Sequence, residues 1–133
     1  MIYLLDTNAC IDIIRRKRPA IIERIQSHHV GDIAVCSITV AELEYGVARS
    51  ARTGQNRIAL MQFLAPFEIL AFDQAAAEQY GIIRQNLEGN GHPIGPMDML
   101  IAAQGLAADL TIVTNNVGEF SRVEGLRIED WTQ

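Results

Sequence analysis

Five residues carry most of the chemistry legible in this chain: Asp6, Glu42, Asp98, Asn116 and Glu119. Each follows a short apolar run or opens a helical pattern, the places where an α/β chain brings side chains to an exposed rim. Several carboxylates gathered in one pocket repel one another, so they either share protons or bind cations. Oxygen donors without histidine or cysteine suit a hard divalent ion such as Mg2+ or Mn2+, which keeps several of its waters. An ion held this way activates water and offsets the charge that develops on a phosphodiester during in-line attack. The expected chemistry is that of a nuclease. Each residue also has a plainer use. Asp6, Thr7 or Asn8 could simply cap a helix, and Thr39-x-x-Glu42 and Asn116-x-x-Glu119 both match a capping box. Asp98 could serve its helix dipole, yet it is the one charge on an otherwise apolar helix, placed where a loop has been shaped around it.

The elements that must position these residues can be read from periodicity. Ile2-Tyr3-Leu4-Leu5 runs straight into Asp6, the pattern of a strand buried on both faces. A first helix is expected from Ala9 to about Arg16 with Ile11 and Ile14 inward, and a second from Ala20 to Ser27. Ile33-Ala34-Val35-Cys36 forms the second buried strand, followed by a helix from Thr39 to about Ser50 with Val40, Leu43 and Val47 on one face. A helix over Asn56 to Leu64 and a strand over Glu68 to Phe72 come next. Asp73 then caps a long helix to about Glu88 that presents Ala76, Tyr80, Ile83 and Leu87. Gly89 to Pro96 holds three glycines and two prolines in eight residues, so it is a loop. Met97-Asp98 opens a helix that is apolar nearly all round and hence buried, Leu110 to Thr114 is a fourth strand, and Asn115 to Phe120 is a turn and short helix. Leu126 to Ile128 is an edge strand before Trp131. Short apolar strands alternating with helices mean a parallel sheet covered on both faces.

Composition narrows the classes further. At 133 residues the chain fits one domain over 1–133, and 49% hydrophobic against 20% charged residues gives it a real core. The absence of an apolar run near ~20 residues and of a signal-peptide pattern places it in the cytoplasm, with no membrane role. Cys10 and Cys36 lie in apolar segments and are expected as buried thiols, and His28, His29 and His92 lack metal-ligand spacing. A net charge of −5 argues against gripping nucleic acid over a broad basic surface, although Arg15-Arg16-Lys17-Arg18 could meet phosphates or form the solvated end of a helix. Lys17 is the only lysine, and its place in that run serves neither a P-loop, a receiver domain nor an aspartyl-phosphate phosphatase.

Four segments together resemble the PIN-domain ribonucleases, and within them the VapC-type toxins of toxin–antitoxin pairs. They are Leu5-Asp6-Thr7-Asn8, Ser37-x-Thr39-x-x-Glu42-Leu43-x-x-Gly46, Gly91-His92-Pro93-Ile94-Gly95-x-x-Asp98-x-x-Ile101-Ala102-Ala103, and Thr114-Asn115-Asn116-x-x-Glu119-Phe120. The resemblance implies a PIN-like three-layer α/β/α fold around a four- to five-stranded parallel sheet. It implies Mg2+ or Mn2+ on Asp6, Glu42 and Asp98, and cleavage of RNA. It also implies a homodimer and a cognate VapB-like antitoxin whose C-terminal segment covers the acidic site. Toxins sharing the Pro-Ile-Gly loop and the Thr-Asn-Asn ending include ones that cut initiator tRNA in its anticodon loop, which makes tRNA the expected substrate. Two departures stand out: Asn116 occupies a position that is often aspartate, with Glu119 as the candidate substitute, and His92 stands where arginine is frequent. Two other classes remain open, a catalytically silent PIN module that binds RNA or protein, and a DNA-directed PIN nuclease. Intact Asp6, Glu42 and Asp98 oppose the first, and the second needs extra acids and a helical arch for which this length leaves little room.

Overall fold

The computed structural model describes residues 1–16 and 18–132, so the expectation for Lys17 lies outside the described residues. Five short strands, β1 (Tyr3–Leu5), β2 (Ile33–Cys36), β3 (Glu68–Leu70), β4 (Thr111–Val113) and β5 (Ile128–Glu129), form one sheet in the order β3-β2-β1-β4-β5. Every pairing is parallel, with Leu5 facing Val35 on one side and Val113 on the other. The chain builds outward from β1 to β3 and then crosses to β4, so strand order reverses beside β1, where open α/β sheets place their ligands.

Seven α-helices accompany these strands among the described residues: α1 (Thr7–Ile14), α2 (Pro19–Gln26), α3 (Ser37–Ala48), α4 (Thr53–Leu64), α5 (Gln74–Gly89), α6 (Pro96–Ala108) and α7 (Val117–Phe120). Because strand side chains alternate, the sheet feeds two separate cores. Leu4, Ala34, Cys36 and Ile112 pack with Ile83 and Leu87 of α5 and Ile101 to Ala103 of α6. Leu5, Ile33, Val35 and Val113 pack on the other face with Cys10, Ile21, Leu43, Val47 and Leu60. This is the expected three-layer arrangement. Both cysteines are buried free thiols, and no helix is long and apolar enough to cross a membrane among the described residues.

Several boundaries differ from the periodic pattern, and caps explain them. Asp6 itself caps α1, so the helix starts at Thr7 rather than Ala9, and Ile14 falls on its exposed side. Helix α3 starts at Ser37, directly after an extended Cys36, and the Ser37 hydroxyl accepts the backbone N–H of Phe72 at 3.1 Å. Thr39 is therefore inside the helix and fully buried instead of capping it. Strand β3 stops at Leu70, α4 begins at Thr53, and the edge strand is Ile128–Glu129, two residues later than expected.

The C-terminal segment closes over the α1–α4 face. Trp131, 1% exposed, meets the Tyr3 ring edge-on at 4.9 Å and stacks on His28 at 5.3 Å. The Arg24 guanidinium lies 5.1 Å over the indole, and Glu129 accepts both the Trp131 Nε1–H at 3.0 Å and Arg24 Nη2 at 3.2 Å.

Candidate active site

Asp6 stands at the end of the central strand, with its backbone N–H donating to Val113 across the sheet at 3.1 Å. Its Oδ1 accepts the Ala9 N–H at 2.8 Å, so the capping role and a site role coexist in one carboxylate. The side chain is 1% exposed. Burial pushes its pKa up to about 6; bonds from Thr114 and Ala9 pull it back, and the charges of Asp12 and Glu42 add to the rise.

Glu42 lies in the second turn of α3, not the first, and half-buried. Its Oε1 accepts the Thr7 hydroxyl at 2.6 Å, and that hydroxyl lies 3.4 Å from the Thr39 hydroxyl. The capping-box role expected for Glu42 is thus replaced by a contact between α1 and α3. Thr7 spans 35 residues to hold the carboxylate beside Asp6.

Asp98 is the third residue of α6, whose N-terminus is shaped by Gly95 and Pro96 and lacks a side-chain cap. The helix dipole there favours a carboxylate. Crowding outweighs it: burial, a hydrogen bond with Glu119 and the charges of Glu119, Asp6 and Glu42 push Asp98 up to about 7. Glu119 moves the other way, held below its ordinary range by bonds from Asp98 and Asn116, the Arg122 charge and the Gly95 N–H. Asp98 keeps the proton and Glu119 carries the charge. The Asn116 carboxamide joins them, its Nδ2 donating to Glu119 Oε2 at 2.9 Å and to Asp98 Oδ2 at 3.4 Å. Asn116 caps α7 without the side-chain bond of a capping box.

All five expected residues therefore gather at the C-terminal rim around β1 and β4. Glu42 and Asp98 border a cleft of about 330 Å³ between α1 and the start of α6, walled also by Ile11, Pro96 and Met97. An apolar groove of about 270 Å³ between α1, α3 and α4 shares Ile11 and Glu42 with that cleft and runs out to Arg15. His92 sits in the exposed loop after α5 with its N–H on Leu87 O, and Arg122 Nη1 pins the same loop through Pro93 O at 3.0 Å. Arg18 of the basic run pairs with Asp12 at 3.4 Å. Thr7, Thr114 and Arg122 escaped sequence reasoning as site residues. The first two stood inside the matched segments without a role assigned to them, and nothing local marked Arg122.

The donor set fits a hard divalent ion. Carboxylates that hold protons near neutrality for want of counter-charge are those a cation would relieve. No ready-made cluster of three metal-ligating acidic, histidine or cysteine side chains exists among the described residues.

Known proteins share both sequence and shape with this chain. A family model described as PIN domain matches residues 3–126. The tRNA(fMet)-specific endonuclease VapC of Shigella flexneri is 40% identical over 98% of each chain. Among solved structures, that of VapBC2 from Rickettsia felis bound to a DNA fragment from its promoter superposes with a TM-score of 0.93 at 39% identity, covering 98% of this chain and 99% of that one. DNA-bound VapBC from Salmonella typhimurium gives 0.94 at 39% identity over 98% of each chain.

Proposed function

The chain belongs to the PIN-domain family, and from that premise we propose that it is the toxin of a type II toxin–antitoxin pair, an endoribonuclease that hydrolyses RNA phosphodiester bonds with Mg2+ or Mn2+. Residues 1–133 act as one nuclease domain, and the substrate is tRNA, with the initiator tRNA anticodon loop as the first candidate. The observation that carries this is a pair of aspartates that burial pushes up: Asp6 to about 6, with the charges of Asp12 and Glu42 adding to the rise, and Asp98, on the wall of the cleft, to about 7, with Glu119, Asp6 and Glu42 adding to it. Asp6, Glu42 and Asp98 hold the ion, and Glu119 with Asn116 completes the acidic side. When bound, the ion activates water and offsets charge on the phosphate. Thr7 holds Glu42 in place through its hydroxyl, and Ile11, Pro96 and Met97 supply the apolar part of the cleft wall beside Glu42 and Asp98. The test is cleavage of tRNA by purified protein. Activity is expected only with Mg2+ or Mn2+, and Asp6→Asn or Asp98→Asn should reduce it at least a hundredfold with the fold retained, about 3 kcal/mol of barrier. Full activity in EDTA or in either variant would refute the metal mechanism.

The homodimer is carried over from the family, and the antitoxin contact follows from the same surface. The toxin works as a homodimer and is silenced by a VapB-like antitoxin whose C-terminal segment lies in the apolar groove and sends an arginine or lysine to Asp6, Glu42 and Asp98. Leaving such a central charge unpaired is costly. Replacing that one basic residue in the antitoxin should therefore weaken inhibition more than replacing any peripheral charge, and inhibition by the intact partner should fall as Mg2+ rises. Inhibition indifferent to both would place the antitoxin elsewhere.

A further inference from the structure

We propose that Asn116 is a positioning residue whose carboxamide, by donating to Glu119 and Asp98 together, makes Glu119 the fourth oxygen donor of the site and is itself no ligand. The proposal rests on the divalent-cation nuclease assignment above. Asn116 is fixed from its backbone side, since its N–H donates to Thr114 Oγ1 at 2.8 Å. Its side chain then meets two carboxylate oxygens, Glu119 Oε2 at 2.9 Å and Asp98 Oδ2 at 3.4 Å. Glu119 carries the charge of the pair and can only accept, so the end of the amide that stands 2.9 Å from its Oε2 must be the NH2. That end carries protons rather than lone pairs and offers nothing to a cation. The carbonyl oxygen, the only atom of Asn116 able to ligate, is therefore turned from the place where the two acids meet.

Glu119, in contrast, is a half-exposed side chain on a four-residue helix. A free glutamate there would wander over several rotamers. Besides the Asp98 carboxyl itself, two donors hold it there: the Asn116 amide and the Gly95 N–H at the start of α6. An aspartate at 116 would present a third carboxylate at the same spot and drive Glu119 outward by like-charge repulsion. The charge change that looks like loss of an acid is then what admits another acid from three residues on.

The experiment is Mn2+ binding to the purified full chain, followed by electron paramagnetic resonance and calorimetry, for wild type, Asn116→Asp, Asn116→Ala, Glu119→Gln and the Asn116→Ala/Glu119→Gln double variant. Losing a residue that orients a ligand lowers metal affinity roughly tenfold or more. Each single variant should therefore bind Mn2+ about tenfold more weakly, Asn116→Asp included, and the double variant should be no weaker than Glu119→Gln alone. A purely structural role would lower the melting temperature without this non-additivity. Asn116→Asp that binds Mn2+ as tightly as wild type or more tightly, or losses that multiply to about a hundredfold in the double variant, would overturn the proposal. Wild type that neither binds Mn2+ nor cleaves RNA would instead overturn the nuclease assignment together with it.

Discussion

Asp6 and Asp98 approach neutral pH still holding protons that an exposed aspartate would have lost, and this has a thermodynamic sign. Their folded values, about 6 and about 7, lie above the ordinary 3.8, so the folded chain binds protons more tightly than the unfolded one. The stability they contribute is fully present below the unfolded value and is lost as pH rises through 6 and then 7. Metal-free Asp98→Asn is therefore expected to gain melting temperature relative to wild type as pH goes from about 5 to about 8. Thermal melts in EDTA over that range measure it, and a constant difference between the two proteins would contradict the assignment. Added divalent ion should remove the difference and release protons below pH ~7. At this scale the site was largely legible, since acids after apolar runs in a parallel α/β chain have few places to go. Their partners were not. Thr7 and Glu42 are 35 residues apart, and no local spacing encodes that bond. Asn116 read as a departure from pattern because its value lies in protons aimed at two side chains, one of them 18 residues away.

Helix α6 shows how an element serves the site. Its middle, Met99 and Ile101 to Gly105, is buried where it passes close over β4, and Gly105 makes that approach possible. A Cβ at Gly105 would stand 2.6 Å from Ile112 Cδ1, 3.3 Å from Ile112 Cγ1 and 3.4 Å from Leu126 Cδ1. Gly105→Val should overpack this contact and cost about 1–3 kcal/mol, read as a lower midpoint in urea with unchanged slope. A midpoint equal to wild type would mean that α6 has room to spare. The all-apolar pattern of α6 and the glycine–proline loop before it were both visible in the sequence, as were the five strands and their order along the chain. What was displaced were helix starts. Asp6 and Cys36 end strands and cap helices in the same step, so hydrophobic periodicity places each helix two residues late.

For the molecule as a whole, the sheet separates two cores that meet at one rim, and β1 is common to both. Leu4 feeds one core and Leu5 the other, so Asp6 inherits a rigid base from each side. The acidic cleft and the apolar groove open side by side and share Ile11 and Glu42. One ligand lying in the groove can therefore reach the acids without rearranging the chain, which gives a reason for inhibition and catalysis to compete.

Trp131 is the only tryptophan, and its indole lies between the Tyr3 and His28 rings under the Arg24 guanidinium. The chain thus carries a single indole fluorophore, selectable by excitation beyond the tyrosine band, sealed from water and flanked by cationic and imidazole neighbours that draw excited-state energy from it. Unfolding exposes the indole and shifts its emission to longer wavelength. Asp6 stands about 10 Å along β1 from Tyr3, beyond contact with the indole, so ion loading at the rim leaves that emission colour unchanged. Light from one residue can then follow the integrity of the fold while catalysis or metal affinity is followed separately, so that in each variant a damaged site is told apart from a damaged protein.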